Sequence, residues 1–162
     1  MKKKIINPYN NFDNPCYGCS EHNDAGLKME FWDNGEGLVS EWAPRPEFQG
    51  YVGVLHGGIQ ATLLDEIASW TVYVKAGTAG VTYSMEVRYL RPVYLSRGPL
   101  HIVSRLEKRE EKMAMIHTGL YDARQQLCTE AKIQYFLFPE HIAREKYHYP
   151  GKEAFYVKGW RE

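Results

Sequence analysis

The spacing of apolar residues switches from a period of two to a period near 3.6 and back again, and each switch marks an element. From Leu55 to Trp70 the residues Ile59, Leu63, Ile67 and Trp70, continued by Val74, fall on one narrow stripe at about 100° per residue. This predicts an amphipathic helix packed against a sheet, opened by Gly57-Gly58 and closed by Ala76-Gly77. Before it, Leu27 to Asp33 and Leu38 to Ala43 read as strands joined by Asn34-Gly35-Glu36-Gly37, whose Asn-Gly pair favours a hairpin. Pro44 and Pro46 end the second strand, and residues 45–54 form a loop. After the helix, Val81, Tyr83, Met85, Val87 and Tyr89 alternate with Thr82, Ser84, Glu86 and Arg88, a long strand with one apolar face. Stretches 100–106, 113–121 and 127–138 add three strands connected by the polar turns 107–112 and 122–126. Strands, one long helix and an antiparallel meander predict an α+β domain whose sheet curls around the helix.

The pattern divides the chain into an irregular, Asn/Pro/Gly-rich lead-in over residues 1–26, a domain over 27–138, and a tail over 139–162. The tail is aromatic and charged (Tyr147, Tyr149, Phe155, Tyr156, Trp160), is broken at Pro150-Gly151, and should pack on the domain as a short helix and coil. A long strand such as 79–91 is an association surface unless something covers it, so a dimer is expected.

Composition narrows the function. With 162 residues and 44% hydrophobic content the chain can bury a core as one domain without disulfides or metal. Twenty basic residues balance twenty acidic ones, which argues against nucleic-acid or anionic-membrane partners. Met1-Lys2-Lys3-Lys4 is followed by no apolar run, so no signal peptide or membrane span is read, and a cytoplasmic protein is expected. Three cysteines fit reduced thiols. Cys16 and Cys19 have the spacing of a metal knuckle, with His22 as a conceivable third ligand and His56, His141 or His148 as a fourth; without a second Cys pair, two reduced thiols in a packed loop and no metal is the expectation.

The chemistry concentrates on the helix. Asp65 lies off the apolar stripe among Ala61, Thr62, Ala68 and Ser69, while Gly57 and Gly58 leave the first backbone N–H groups free to meet a polarised carbonyl. A carboxylate and an oxygen-binding helix start point to acyl chemistry. No Ser in a nucleophile-elbow context accompanies His56, and Cys128 sits mid-strand, which removes the hydrolase triads.

His56-Gly57-Gly58 followed by Ala61-Thr62-Leu63-Leu64-Asp65-Glu66, with Cys16-Tyr17-Gly18-Cys19, Ala25-Gly26-Leu27 and Tyr89-Leu90-Arg91-Pro92-Val93, resembles the hotdog-fold acyl-CoA thioesterases, in particular the phenylacetate-degradation type. The resemblance covers roughly residues 16–138 and implies hydrolysis of acyl-CoA to acid and CoA without cofactor. It implies Asp65 as nucleophile or general base, Gly57 as oxyanion site, His56 in support of the helix turn or the acyl carbonyl, and Thr82 orienting the attacking water. Gln49 is the nearest match to the amide that contacts the thioester carbonyl. Gly58, Glu66, Arg88 and Arg91 are candidate substrate contacts, Glu66 as a rim residue and the arginines toward the CoA phosphates. Related proteins form homodimers with active sites along the joint, and pairs of dimers are common. A noncatalytic acyl-CoA binding hotdog protein is the alternative; a ligand-sensing transcription factor would need a DNA-binding helix pair that the lead-in lacks, and a hydratase a different His and acid arrangement.

Helix geometry adds a constraint. Gly57 and Asp65 are eight positions apart, or roughly 12 Å along the axis, too far for one carbonyl to meet both, so each site is expected to join the Gly57 end of one subunit to Asp65 of another.

Overall fold

A computed structural model describes residues 1–9 and 15–156; Trp160 of the predicted tail lies outside them. Among the described residues seven strands form one antiparallel sheet: β1 (Lys3–Lys4), β2 (Trp32–Asp33), β3 (Leu38–Trp42), β4 (Gly80–Tyr89), β5 (Leu100–Arg109), β6 (Met113–Tyr121) and β7 (Leu127–Leu137), in the order β1-β2-β3-β5-β6-β7-β4. Helix α1 (Gly57–Thr71) lies against β3 to β7, which is the expected hotdog arrangement. Residues Val72–Ala76 extend it as a wider turn, and Gly77 ends it in the left-handed conformation (φ 73°) that glycine adopts without strain. No described helix is long and apolar enough to cross a membrane.

The predicted stripe is buried at Leu63, Ile67, Trp70 and Val74, but the buried face is wider, taking in Gln60, Leu64, Ala68 and Thr71, while Ile59 is only half-buried. The polar members of this face are satisfied as they are buried, Gln60 Nε2 donating to Leu55 O (2.9 Å), the Thr129 hydroxyl donating to Gln60 Oε1 (2.5 Å), and the Thr71 and Ser104 hydroxyls bonding each other. Trp70 stacks on Phe31 at 4.8 Å between centroids and meets Phe155 edge-on at 5.7 Å. Truncating such a buried helix residue, Leu63→Ala for example, costs roughly 2–5 kcal/mol.

Two predicted strands change shape. Leu27, Met29 and Phe31 alternate inward and are buried, as the pattern requires, yet only Trp32–Asp33 joins the ladder. Lys28 has a φ of 53°, which a strand excludes, and the backbone N–H groups of Leu27 and Met29 bond the carbonyls of Tyr17 and Gly18 instead. In β4 the strict alternation breaks at a bulge between Thr82 and Ser84. The pairs Thr82 with Tyr135, Met85 with Ile133 and Val87 with Ala131 put Thr82 on the helix side with Met85 and Val87, whereas Val81, opposite Phe136, goes to the other face and is 44% exposed.

The tail packs as a short helix, α2 (Glu140–Tyr147), and a turn over Lys152–Phe155. Tyr149 and Phe155 stack with Tyr73 near the end of the long helix. The Tyr156 hydroxyl donates to Asp33 Oδ2 (2.7 Å), and Lys75 pairs with Asp33 Oδ1 (2.8 Å). Burial pushes the Asp33 carboxyl up, but Lys75, Tyr156 and the Gly35 N–H outweigh it and hold the group below its usual range.

Candidate active site

Three elements converge on Asp65. From β4 the Thr82 hydroxyl donates to Asp65 Oδ1 at 2.9 Å, and from β7 the Tyr135 hydroxyl donates to the same oxygen at 2.6 Å while lying 2.8 Å from the Asp65 carbonyl. The bulge at Tyr83 is what delivers Thr82 to the helix side. Tyr135 was not among the sequence candidates. Its signal is an inward strand position occupied by a phenol, which a core accepts only where the hydroxyl finds a partner. Burial first, then the Asp65 charge and hydrogen bond, push the Tyr135 phenol far above its usual value, so it stays protonated and remains a donor. Two hydroxyls on Oδ1 fix the carboxylate plane and leave Oδ2 unengaged by either.

The helix start is built separately. His56 is the N-cap, and its Nδ1 accepts from the Gly58 N–H at 2.9 Å. This corrects the expectation of free N–H groups at both glycines: Gly58 is committed to the cap, and a neutral imidazole accepting at Nδ1 carries its proton on Nε2. Tyr89 closes over Gly57, its hydroxyl donating to Gly57 O at 3.0 Å, and a Cβ at Gly57 would stand 3.4 Å from the Tyr89 ring. Gln49 Oε1 accepts from the Gly53 N–H (3.0 Å), so its NH₂ end is the one left to reach outward. Gln49, His56, Gly58 and Thr62, with Tyr17, Phe48 and Ile59, line a cleft of about 510 Å³; Asp65 is not part of its wall. A larger depression, about 680 Å³ beside Trp32, Glu41 and His101, holds none of the predicted site residues.

Other candidates lie elsewhere. Glu66 was read as a rim contact beside Asp65, but one position along a helix is about 100° around it, and Glu66 turns to the opposite flank. There it accepts from Trp70 Nε1 (2.9 Å) and stands 3.6 Å from Cys16 Sγ. Cys16 and Cys19 Sγ are 3.0 Å apart. A hydrogen bond from Cys19 holds the Cys16 thiol below the usual thiol range, and the same bond together with burial pushes Cys19 well above it. His22 does not join this group; it faces Glu21 at 3.5 Å and is largely exposed. Arg88 sits opposite Glu130 on the sheet face away from the helix, and Arg91 follows the strand with its N–H on Cys128 O. Neither is brought to Asp65.

Residues 52–129 match the sequence profile of the thioesterase superfamily. An uncharacterised protein of Schizosaccharomyces pombe is 28% identical over 96 residues, 56% of this chain and 55% of the relative, so the chain spans about half the length of the curated relative it matches. A solved thioesterase superfamily protein superposes with a TM-score of 0.68 at 22% identity, covering 77% of this chain and 60% of the other. A Streptococcus mutans protein bound to acetyl CoA gives 0.62 at 20% identity over 69% of this chain and 90% of its own. A phenylacetic acid degradation-related protein of Ralstonia eutropha gives 0.62 at 22% over 68% and 86%. At such identities the likeness speaks for the fold.

Proposed function

We propose that this chain, whose residues 52–129 match the thioesterase superfamily, hydrolyses acyl-CoA thioesters, water adding to the acyl carbon and CoA leaving as the thiol. The observation that carries the reading is Asp65, a carboxylate with Oδ1 held by Thr82 and Tyr135 and Oδ2 left for a reactant. Oδ2 attacks the acyl carbon, expelling CoA thiolate and leaving a mixed anhydride that water then hydrolyses, or it takes the proton of a water that attacks directly; the thiolate leaves readily, so a strong general acid is not required. Acetyl CoA in the streptococcal relative supports CoA thioesters as the substrate class.

Oxyanion stabilisation falls to the helix start. The Gly57 N–H, at the positive end of α1, acts beside the His56 Nε2–H and Gln49 NH₂ that line the cleft, while the Gly58 N–H serves indirectly by fixing the imidazole. Because Asp65 lies eight positions, or roughly 12 Å, along the helix from Gly57 and is not in the wall of that cleft, the carboxylate is supplied by a second copy. β4 supports this: among the described residues it ends the sheet as a ten-residue edge with no strand on its outer side, and Tyr83 is 70% and Tyr89 53% exposed, which invites a strand from another chain. The resulting dimer places two equivalent sites along the joint.

The test is release of free CoA from short, medium, long and aryl acyl-CoAs by the purified chain. Turnover of at least one class, lost on Asp65→Asn, is expected. No release from any class would overturn the proposal.

A further inference from the structure

Behind the helix from Asp65, the Cys16-Tyr17-Gly18-Cys19 turn and Glu66 bring two thiols and a carboxylate within 4.8 Å of one another. We propose that Cys16, Cys19 and Glu66 form a zinc site, with water in the fourth position. The proposal does not depend on the acyl-CoA reading.

Ligand chemistry and geometry both fit. Around a tetrahedral zinc, two sulfurs lie about 3.8 Å apart and a sulfur and a carboxylate oxygen about 3.5 Å apart. The Cys16 Sγ to Glu66 Oε1 separation of 3.6 Å already meets this, and the 3.0 Å between sulfurs opens by a small side-chain rotation. The turn closes on itself, the Ser20 N–H donating to the Cys16 carbonyl at 3.1 Å, which keeps the two sulfurs on one side. A Cβ at Gly18 would overlap the Glu66 carboxyl, so glycine lets the turn and the carboxylate meet this closely. Buried Trp70 donates its indole N–H to Glu66 Oε1, the outer partner that commonly orients a metal-bound carboxylate. Leu27 N–H to Tyr17 O (2.7 Å) and Met29 N–H to Gly18 O (2.9 Å) fix the turn from behind. The metal would thereby staple to α1 the loop whose Tyr17 walls the cleft.

The experiment uses the full chain, purified reduced and stripped with chelator. Titrated Co²⁺ should give thiolate-to-metal charge-transfer absorption saturating at one equivalent, and Zn²⁺ should displace it. Cys16→Ser and Glu66→Gln should each weaken binding by more than about tenfold, the loss seen even for outer partners, while Cys128→Ser leaves it unchanged. Should the variants not fold, the wild type still decides: zinc should protect Cys16 and Cys19 from alkylation as mapped by mass spectrometry. Absent thiolate absorption, unprotected thiols, or recovery of the pair only as a metal-free disulfide would overturn the site.

Discussion

Asp65 and Glu66 are neighbours in sequence with different surroundings. Asp65 looks toward β4 and β7 and meets two hydroxyls, whereas Glu66 looks toward the N-terminal turn and meets an indole N–H and two sulfurs. Hydroxyl donors on one oxygen keep a carboxylate oriented and leave its other oxygen for a reactant. Soft thiols beside a carboxylate suit a cation instead. The same functional group therefore acquires two chemistries from the two flanks of one helix, and the flank rather than the residue type decides which.

The contrast is broken most directly by exchanging each carboxylate for its amide. Asp65→Asn should lower kcat on the order of a hundredfold or more with unchanged folding by circular dichroism. Glu66→Gln should fall far short of that loss, and equal losses would erase the distinction. A third carboxylate gives a reference with a cationic partner: Asp33→Asn, which removes the Lys75 pair, should cost on the order of 2 kcal/mol in denaturant unfolding. Because the folded Asp33 pKa lies below its unfolded value of about 3.9, its stabilisation is complete above that pH and is lost as pH falls through the lower folded value. The gap between wild type and Asp33→Asn should accordingly close in strong acid. Smaller effects sharpen the Asp65 flank. Tyr135→Phe should lower kcat roughly tenfold, and Thr82→Val, at an exposed position, only a few-fold, in steady-state assays of CoA release.

Much of this was legible in the chain. The helix followed from its stripe, the hairpin from Asn34-Gly35, the long strand after the helix from alternation, the three later strands from the polar turns that bound them, and Gly77 from its place after Ala76. What stayed hidden depends on backbone exceptions and long-range meetings. Lys28 in a positive-φ conformation and the bulge beside Tyr83 carry no strong local signal, yet the second decides that Thr82 reaches Asp65. Tyr135 lies 70 residues from Asp65, and Cys16 lies 50 from Glu66; only the closed sheet and the folded lead-in join them. The Gly58 N–H read as free because a periodicity argument does not register that the preceding His56 can bend back to cap it.

The central claim is that Asp65 of one subunit serves the helix start of another, and subunit mixing tests it most directly. Asp65→Ala and Gly57→Val chains, each inactive alone, are co-refolded at equal amounts and assayed for CoA release. A heterodimer holds one intact site of two, and half of a random mixture is heterodimer, so about a quarter of wild-type activity should return. Activity that stays at the level of the separate variants, with exchange verified by native mass spectrometry, would contradict the shared site.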